Sequence, residues 1–190
     1  MKIVFLDVDG VLNAIEDYRS KDYRPKKNAA WMTTSIGEKY HGISQRRVAR
    51  LARIISEAGA KIVLSSSWKE SYEYYVNKGD DMHIGRYLVN ALSRKGLHIM
   101  DTTYRFENSS MMGSYYRGDA IRKWIEWWDG ENPNDKVEKF VILDDDPFDF
   151  EEAGLTDHWV ETDYYGYPGG LTDEKADLAI KILKGETHEK

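Results

Sequence analysis

Asp7 and Asp9 flank a single valine and precede Gly10, directly after the apolar run Ile3-Val4-Phe5-Leu6. Two carboxylates at the end of a buried strand are costly unless a cation or a proton compensates them. The pattern therefore points to a metal-assisted reaction site. Two further apolar runs end in polar groups: Ile62-Val63-Leu64 in Ser65-Ser66-Ser67, and Phe140-Val141-Ile142-Leu143 in Asp144-Asp145-Asp146. Phosphoryl transfer through an enzyme carboxylate needs a nucleophile, a neighbouring acid/base, a cation for the phosphate oxygens, and donors that hold them. Asp7 suits the first role. Asp9 suits the second, protonating the leaving oxygen and then activating water, for a gain of roughly 10²–10⁴-fold. If the third run neighbours the first, at a strand spacing of about 4.8 Å, Asp7 and Asp144 share one Mg²⁺, an ion that takes oxygen ligands and few carboxylates. Ser65 offers a hydroxyl to a phosphate oxygen, and Arg117 offers a fork of hydrogen bonds to the same group.

The three apolar runs read as strands buried on both faces. Residues 97–100 and 158–161 are two weaker strand candidates. Helical stripes lie between them: Val48, Leu51, Ala52 and Ile55, with Ser44 as N-cap and Gly59 as stop; Ile84, Leu88 and Leu92, closed by Gly96; Ile121, Trp124, Ile125 and Trp128, closed by Gly130; and Ala176, Ala179, Ile180 and Leu183, between Thr172 and Gly185. Strands alternating with helices predict βαβ units and a mostly parallel sheet. Ligands bind at the carboxyl edge of such a sheet. The links over 13–43 and 67–91, and an irregular stretch over 101–116, are longer than the roughly 12–15 residues of an ordinary loop. Both long links leave from the acid-bearing edge. The expected organisation is thus one domain over 1–190, with insertions 13–43 and 67–116 forming a cap or lid.

The chain has no cysteine, which excludes disulfides, thiolate zinc sites and cysteine nucleophiles. Its beginning is too short and too acidic for a signal peptide, and no run approaches a membrane span, so a soluble cytoplasmic protein without membrane contact is expected. A net charge of −6 argues against broad binding along a nucleic-acid duplex but leaves room for a local basic groove. Arg19, Lys21, Arg24, Lys26 and Lys27 form such a cluster, interleaved with Tyr18, Tyr23 and Trp31, a mixture that suits single-stranded nucleic acid as well as it suits a solvated loop. An EF-hand reading of the Asp7 segment fails, because Val11 and Tyr18 fall where calcium ligands are required.

Asp7-Val8-Asp9-Gly10-Val11-Leu12, Ile62-Val63-Leu64-Ser65, Arg117-Gly118-Asp119-Ala120-Ile121 and Phe140-Val141-Ile142-Leu143-Asp144-Asp145 resemble, in order, the four motifs of the haloacid dehalogenase (HAD) superfamily, with arginine where lysine is commoner. Ser65-Ser66-Ser67-Trp68, Arg117-Gly118 followed by Ile121 and Trp124, Asp144-Asp145-Asp146, and Thr162-Asp163 followed by Gly170-Leu171-Thr172 resemble more narrowly the HAD domains of Swiss Army knife RNA-repair proteins. The resemblance implies a Rossmann-like α/β core with a five-stranded parallel sheet of order 3-2-1-4-5, flanked by helices. It implies a Mg²⁺-dependent phosphatase working through an aspartyl-phosphate. The metal would be held by Asp144, Asp145, one Asp7 oxygen and the Asp9 backbone carbonyl. Asp9 marks superfamily phosphatases and is lacking in dehalogenases. A nucleic-acid end phosphate or a nucleotide is the expected substrate, with Arg24 and Lys26 contacting it. A sugar-phosphate phosphatase and a non-catalytic binding module are the alternatives.

Several residues carry a second reading. Ser66 or Ser67 competes with Ser65 for the phosphate, and Lys123 competes with Arg117. Asp146 and Asp149 are as well placed to be turn residues as to support the site. Trp68 fits base stacking or core packing equally. Arg46, Arg47, Arg50 and Arg53 read as the polar face of a helix, and Trp124 and Trp128 as core.

Overall fold

The computed structural model describes residues 1–19, 42–78, 83–103, 106 and 116–186. Arg24 and Lys26, with the rest of the basic cluster from Lys21 to Lys27, lie outside them, as do residues 107–115.

Five strands form one sheet: β1 (Lys2–Leu6), β2 (Ala60–Leu64), β3 (Ile99–Thr102), β4 (Lys139–Asp144) and β5 (Trp159–Glu161). Their order is β3-β2-β1-β4-β5, and every pairing is parallel. The order reverses at β1, which lies between β2 and β4. Leu6 pairs with Leu64 on one side and Leu143 on the other, so the polar residues that follow these three strands emerge side by side.

The helices are α1 (Ile15–Arg19), α2 (Gln45–Ala58), α3 (Lys69–Lys78), α4 (His83–Ser93), α5 (Arg117–Glu131) and α6 (Asp173–Lys184). Strand alternation divides the core. Val4, Leu6, Ile62, Leu64, Val141 and Leu143 face α2, α4 and α6, where Val48, Leu51, Leu88, Leu92 and Leu183 are buried with them. Ile3, Phe5, Val63 and Ile142 face α5, packing on Trp124 and Phe150. Trp124 meets Phe5 edge-on and stacks on Trp128. Asp7 and Asp144 continue the second face, and so point toward the start of α5.

The expected stops of α2 and α6 are in place. Gly59 and Gly185 adopt left-handed backbone at φ +66° and +73°, and the Thr172 hydroxyl accepts from Lys175 N. Gly130 does not end its helix. α5 runs through it to Glu131, because one glycine costs a helix only about 1 kcal/mol, and Asn132 N still reaches Trp128 O (2.8 Å). β3 lies two residues later than expected, since Leu97 closes the turn after α4 by donating to Leu92 O. The expected link over 67–91 is mostly helix: α3 has too mixed a surface to show a stripe, yet it packs along α4. Within the stretch 67–116 expected as a cap or lid, residues 99–102 are an edge strand of the sheet, 83–93 pack on its face, and 69–78 lie along α4.

The arginine face of α2 is not solvated as expected. Arg50 and Arg53 pair with Asp173 and Asp177 of α6, and Arg47 is buried, held by Glu16, Asp17 and the Gly169 carbonyl. Only Arg46 of the four is exposed. Among the described residues, no helix is long and apolar enough to cross a membrane.

Candidate active site

Asp7, Ser65 and Asp144 meet at the carboxyl edge of the sheet. Asp7 N donates to Leu143 O and Ser65 N to Leu6 O, so the ladder carries each residue just past its strand. Asp7 and Asp144 are buried, and Asp145 is half-buried. The three carboxylates each offer an oxygen, and these oxygens lie within 4.8 Å of one another. Arg117, at the first turn of α5, is also buried; its Nη1 contacts Asp144 Oδ2 and lies 3.4 Å from Asp7 Oδ1.

The Arg117 guanidinium faces both buried acids. Burial pushes the Asp144 carboxyl well above the usual range; Arg117 opposes the rise and Asp7 adds to it. Burial raises Asp7 too, against Arg117 and a hydrogen bond from Ser66, with the charge of Asp9 adding to the rise. An acid cluster built from hard oxygen donors at this spacing suits a divalent cation such as Mg²⁺. Gly10 is required by the same crowding: its φ is +74°, and a Cβ there would stand 2.2 Å from Asp145 Cγ.

Asp9 is held separately. Its Oδ1 accepts from Asn13 Nδ2 and its Oδ2 from Trp68 Nε1, both at 2.8 Å, while Asn13 Oδ1 accepts from Gly10 N. Trp68 is thus both buried core and a clamp on Asp9, and not a free stacking surface.

The serines separate by environment. Ser66 hydrogen-bonds to Asp7 through its hydroxyl, whose oxygen also accepts from Trp68 N. Ser67 is exposed. Ser65 Oγ is buried and makes no hydrogen bond. Lys69, unmarked by any pattern, is buried and donates to the Ser66 carbonyl (2.8 Å), which fixes the turn after β2. Lys123 pairs with Asp119 on the exposed side of α5, away from the cluster.

The turn after β4 holds Arg117 in place. Asp149 accepts from Gly118 N (2.6 Å) and Asp119 N (3.0 Å), capping α5 where Tyr116 makes no side-chain cap bond. Phe148 lies over the guanidinium, its ring centroid 4.1 Å from Arg117 Cζ, and takes φ +41°, a strained value for a bulky residue. No sequence signal marks Phe148, because a left-handed phenylalanine is set by its surroundings. Asp149 was visible only as one acid among several.

No curated protein and no solved structure matches this chain. A family model described as the HAD domain in Swiss Army Knife RNA repair proteins matches residues 3–176, a span that takes in the sheet from Ile3 onward and Asp7, Asp9, Asp144 and Asp145. With the strand order and the placement of the four motif ends, this shows that the chain belongs to that HAD domain family.

Proposed function

We propose that this chain is a Mg²⁺-dependent phosphomonoesterase that works through an aspartyl-phosphate on Asp7 and acts on nucleic-acid end phosphates or nucleotides. The observation that carries the reading is a pair of buried oxygens without hydrogen-bond partners, Asp7 Oδ1 and Ser65 Oγ, beside Arg117 and the acid cluster. Burying the Ser65 hydroxyl without a partner costs about 1–3 kcal/mol, and Asp7 Oδ1 faces the Arg117 guanidinium 3.4 Å away. A phosphoryl group satisfies both, as electrophile for the carboxylate and acceptor for the hydroxyl.

Arg117 and Ser65 hold the phosphate oxygens. Asp7 attacks phosphorus; the new P–O bond forms as the ester P–O bond breaks, and the leaving oxygen takes the proton of Asp9. Asp9, now a carboxylate fixed by Asn13 and Trp68, takes a proton from water as that water attacks phosphorus. The bond to Asp7 breaks, and inorganic phosphate leaves. Asp7, Asp144, Asp145 and the Asp9 carbonyl would hold the Mg²⁺, which would supply the positive charge that screens these carboxylates from the phosphate. The family description and the basic, aromatic segment containing Arg24 and Lys26 support a nucleic-acid substrate.

The test is Mg²⁺-dependent phosphate release from 3′- and 5′-phosphorylated oligonucleotides, nucleoside monophosphates and sugar phosphates, with Asp7→Asn as control. Preference for an oligonucleotide end or a nucleotide is expected. Preference for sugar phosphates overturns the substrate assignment. No release from any substrate overturns the enzyme reading in favour of a phosphate-binding module.

A further inference from the structure

Among the described residues, four buried side-chain oxygens lack a hydrogen-bond partner: Asp7 Oδ1, Ser65 Oγ, Thr103 Oγ1 and Thr162 Oγ1. They are not scattered. Each belongs to the residue that makes the first ladder bond past the end of its strand: Asp7 N to Leu143 O (3.0 Å), Ser65 N to Leu6 O (2.9 Å), Thr103 N to Leu64 O (3.1 Å) and Thr162 N to Asp144 O (2.9 Å). Folded interiors seldom leave a buried hydroxyl unpaired. These atoms thus trace the carboxyl edge of the sheet; Asp7 Oδ1 also forms an ion pair with Arg117 at 3.4 Å, and Ser65 is only one of the three hydroxyls.

The face on which Thr103 lies follows from an irregularity in β3. Ile62 pairs with Ile99, but Val63 pairs with Asp101, so Met100 is an extra residue. Without that slip, Thr102 would stand opposite Ser65. With it, Leu64 pairs with Thr102, and Thr103 comes beside Ser65. Paired residues of parallel strands share a face. Asp101 accepts from Trp124 of α5 (2.9 Å), and Thr102 donates to Glu73 of α3 (2.6 Å), which identifies the two faces. Thr103 therefore shares the α5 face with Ser65, Asp7 and Asp144. Bulges beside active sites commonly re-aim a side chain in this way. Thr162 falls on the other face, since Glu161 pairs with Asp144.

We propose that Thr103 is a substrate-binding residue whose hydroxyl donates to an oxygen of the bound phosphoryl group, one strand spacing (about 4.8 Å) beyond Ser65. The proposal rests on the phosphatase reading above and extends its phosphate cradle from β1 and β2 to β3. A purely structural residue here has no need of a hydroxyl. Valine fills the same volume without burying an unpaired polar atom.

That contrast supplies the test. Thr103→Val and Thr103→Ser are compared with the unchanged protein for thermal stability without ligand, inhibition by inorganic phosphate, and KM and kcat on the best substrate of the panel. In the valine variant, Tm rises by about 2–4 °C. Phosphate inhibition and KM weaken roughly tenfold or more, because a hydrogen bond to a charged group is lost. Serine restores phosphate binding. Opposite signs for stability and binding are the signature, since a structural contact would lower both. Unchanged phosphate inhibition and KM in the valine variant, or a lower Tm, overturns the proposal while the phosphatase reading stands. A wild-type protein that phosphate does not inhibit, and that releases none, removes both.

Discussion

Asp144→Asn probes the cost of the buried carboxylate at the sheet edge directly. Asp144 is 1% exposed, and its carboxylate shares a 4.8 Å neighbourhood with those of Asp7 and Asp145. At an effective dielectric constant near 20, two unit charges at that distance repel by roughly 3.5 kcal/mol. The Arg117 guanidinium in contact offsets much of this repulsion, and the larger cost is the hydration that a buried carboxylate loses. Burial is the main reason that Asp144 is held well above the usual carboxylate range; Arg117 opposes the rise and Asp7 adds to it. A carboxyl raised in the folded state favours folding while it is protonated. Its contribution is full below the pH at which an unfolded aspartate titrates, and is lost as the pH rises through the raised folded value. Without divalent cations, the protein is therefore expected to lose stability as the pH climbs from acid toward neutral. The amide of the variant keeps the shape and an acceptor for Arg117 but carries no charge. Relief of about 1–3 kcal/mol is expected at neutral pH, a rise in Tm of several degrees for a chain of this size. The pH dependence flattens, and Mg²⁺ stabilises the variant less than the wild type. Thermal unfolding followed by circular dichroism from pH 5 to 8, in EDTA and in Mg²⁺, measures all three effects. An asparagine variant that melts below the wild type in EDTA at pH 7.5 would refute the reasoning, because pairing with Arg117 would then outweigh the repulsion.

Gly10→Ala places a Cβ 2.2 Å from Asp145 Cγ on a backbone at φ +74°. It is expected to cost about 1–3 kcal/mol and to weaken the Mg²⁺ response, both read from denaturant unfolding. Trp68→Phe removes the 2.8 Å bond to Asp9 but keeps an aromatic ring in the core; kcat should fall roughly 10- to 100-fold with little change in KM, and an unchanged kcat would show that Asp9 needs no such clamp. Phe148→Leu removes the ring over Arg117; steady-state kinetics should show KM rising roughly 3- to 30-fold, with Phe148→Tyr close to wild type.

Buried parallel strands leave short unbroken apolar runs, so β1, β2 and β4, with the acids and serines at their tips, were legible in the sequence. Their order was legible through the family resemblance, since periodicity carries no information about neighbours. The slip in β3 was not, because a bulge at Met100 changes no residue type. α3 was hidden by its composition: Lys-Glu-Ser-Tyr-Glu-Tyr-Tyr-Val-Asn-Lys has no apolar stripe, and the helix is held by packing on α4. Arg47 illustrates a different limit. Its spacing matches that of the other α2 arginines, and only the distant Glu16, Asp17 and Gly169 make it a buried clamp. Long-range charge pairing of this sort leaves no local pattern.

The segment that follows β4 joins two tasks that the sequence presents as separate motifs. Asp144 and Asp145 belong to the acid cluster, and Phe148 and Asp149, a few residues on, fix Arg117 on another element. Gly118 makes that contact possible, because a Cβ there would come within 2.9 Å of Ala153 Cβ and 3.1 Å of the Asp149 carbonyl. Arginine suits position 117 for the same reason: its flat guanidinium stacks under Phe148 while its nitrogens face the carboxylates, which a lysine ammonium does less well. Arg117 is the counter-ion of Asp144 and Asp7. On the proposed phosphatase reading, a divalent cation would take over that charge, and the guanidinium, still fixed by the ring and by the capped helix, would be free to hold phosphate oxygens. Cation and anion binding are then expected to reinforce one another, because each removes the charge that the other would have to face alone.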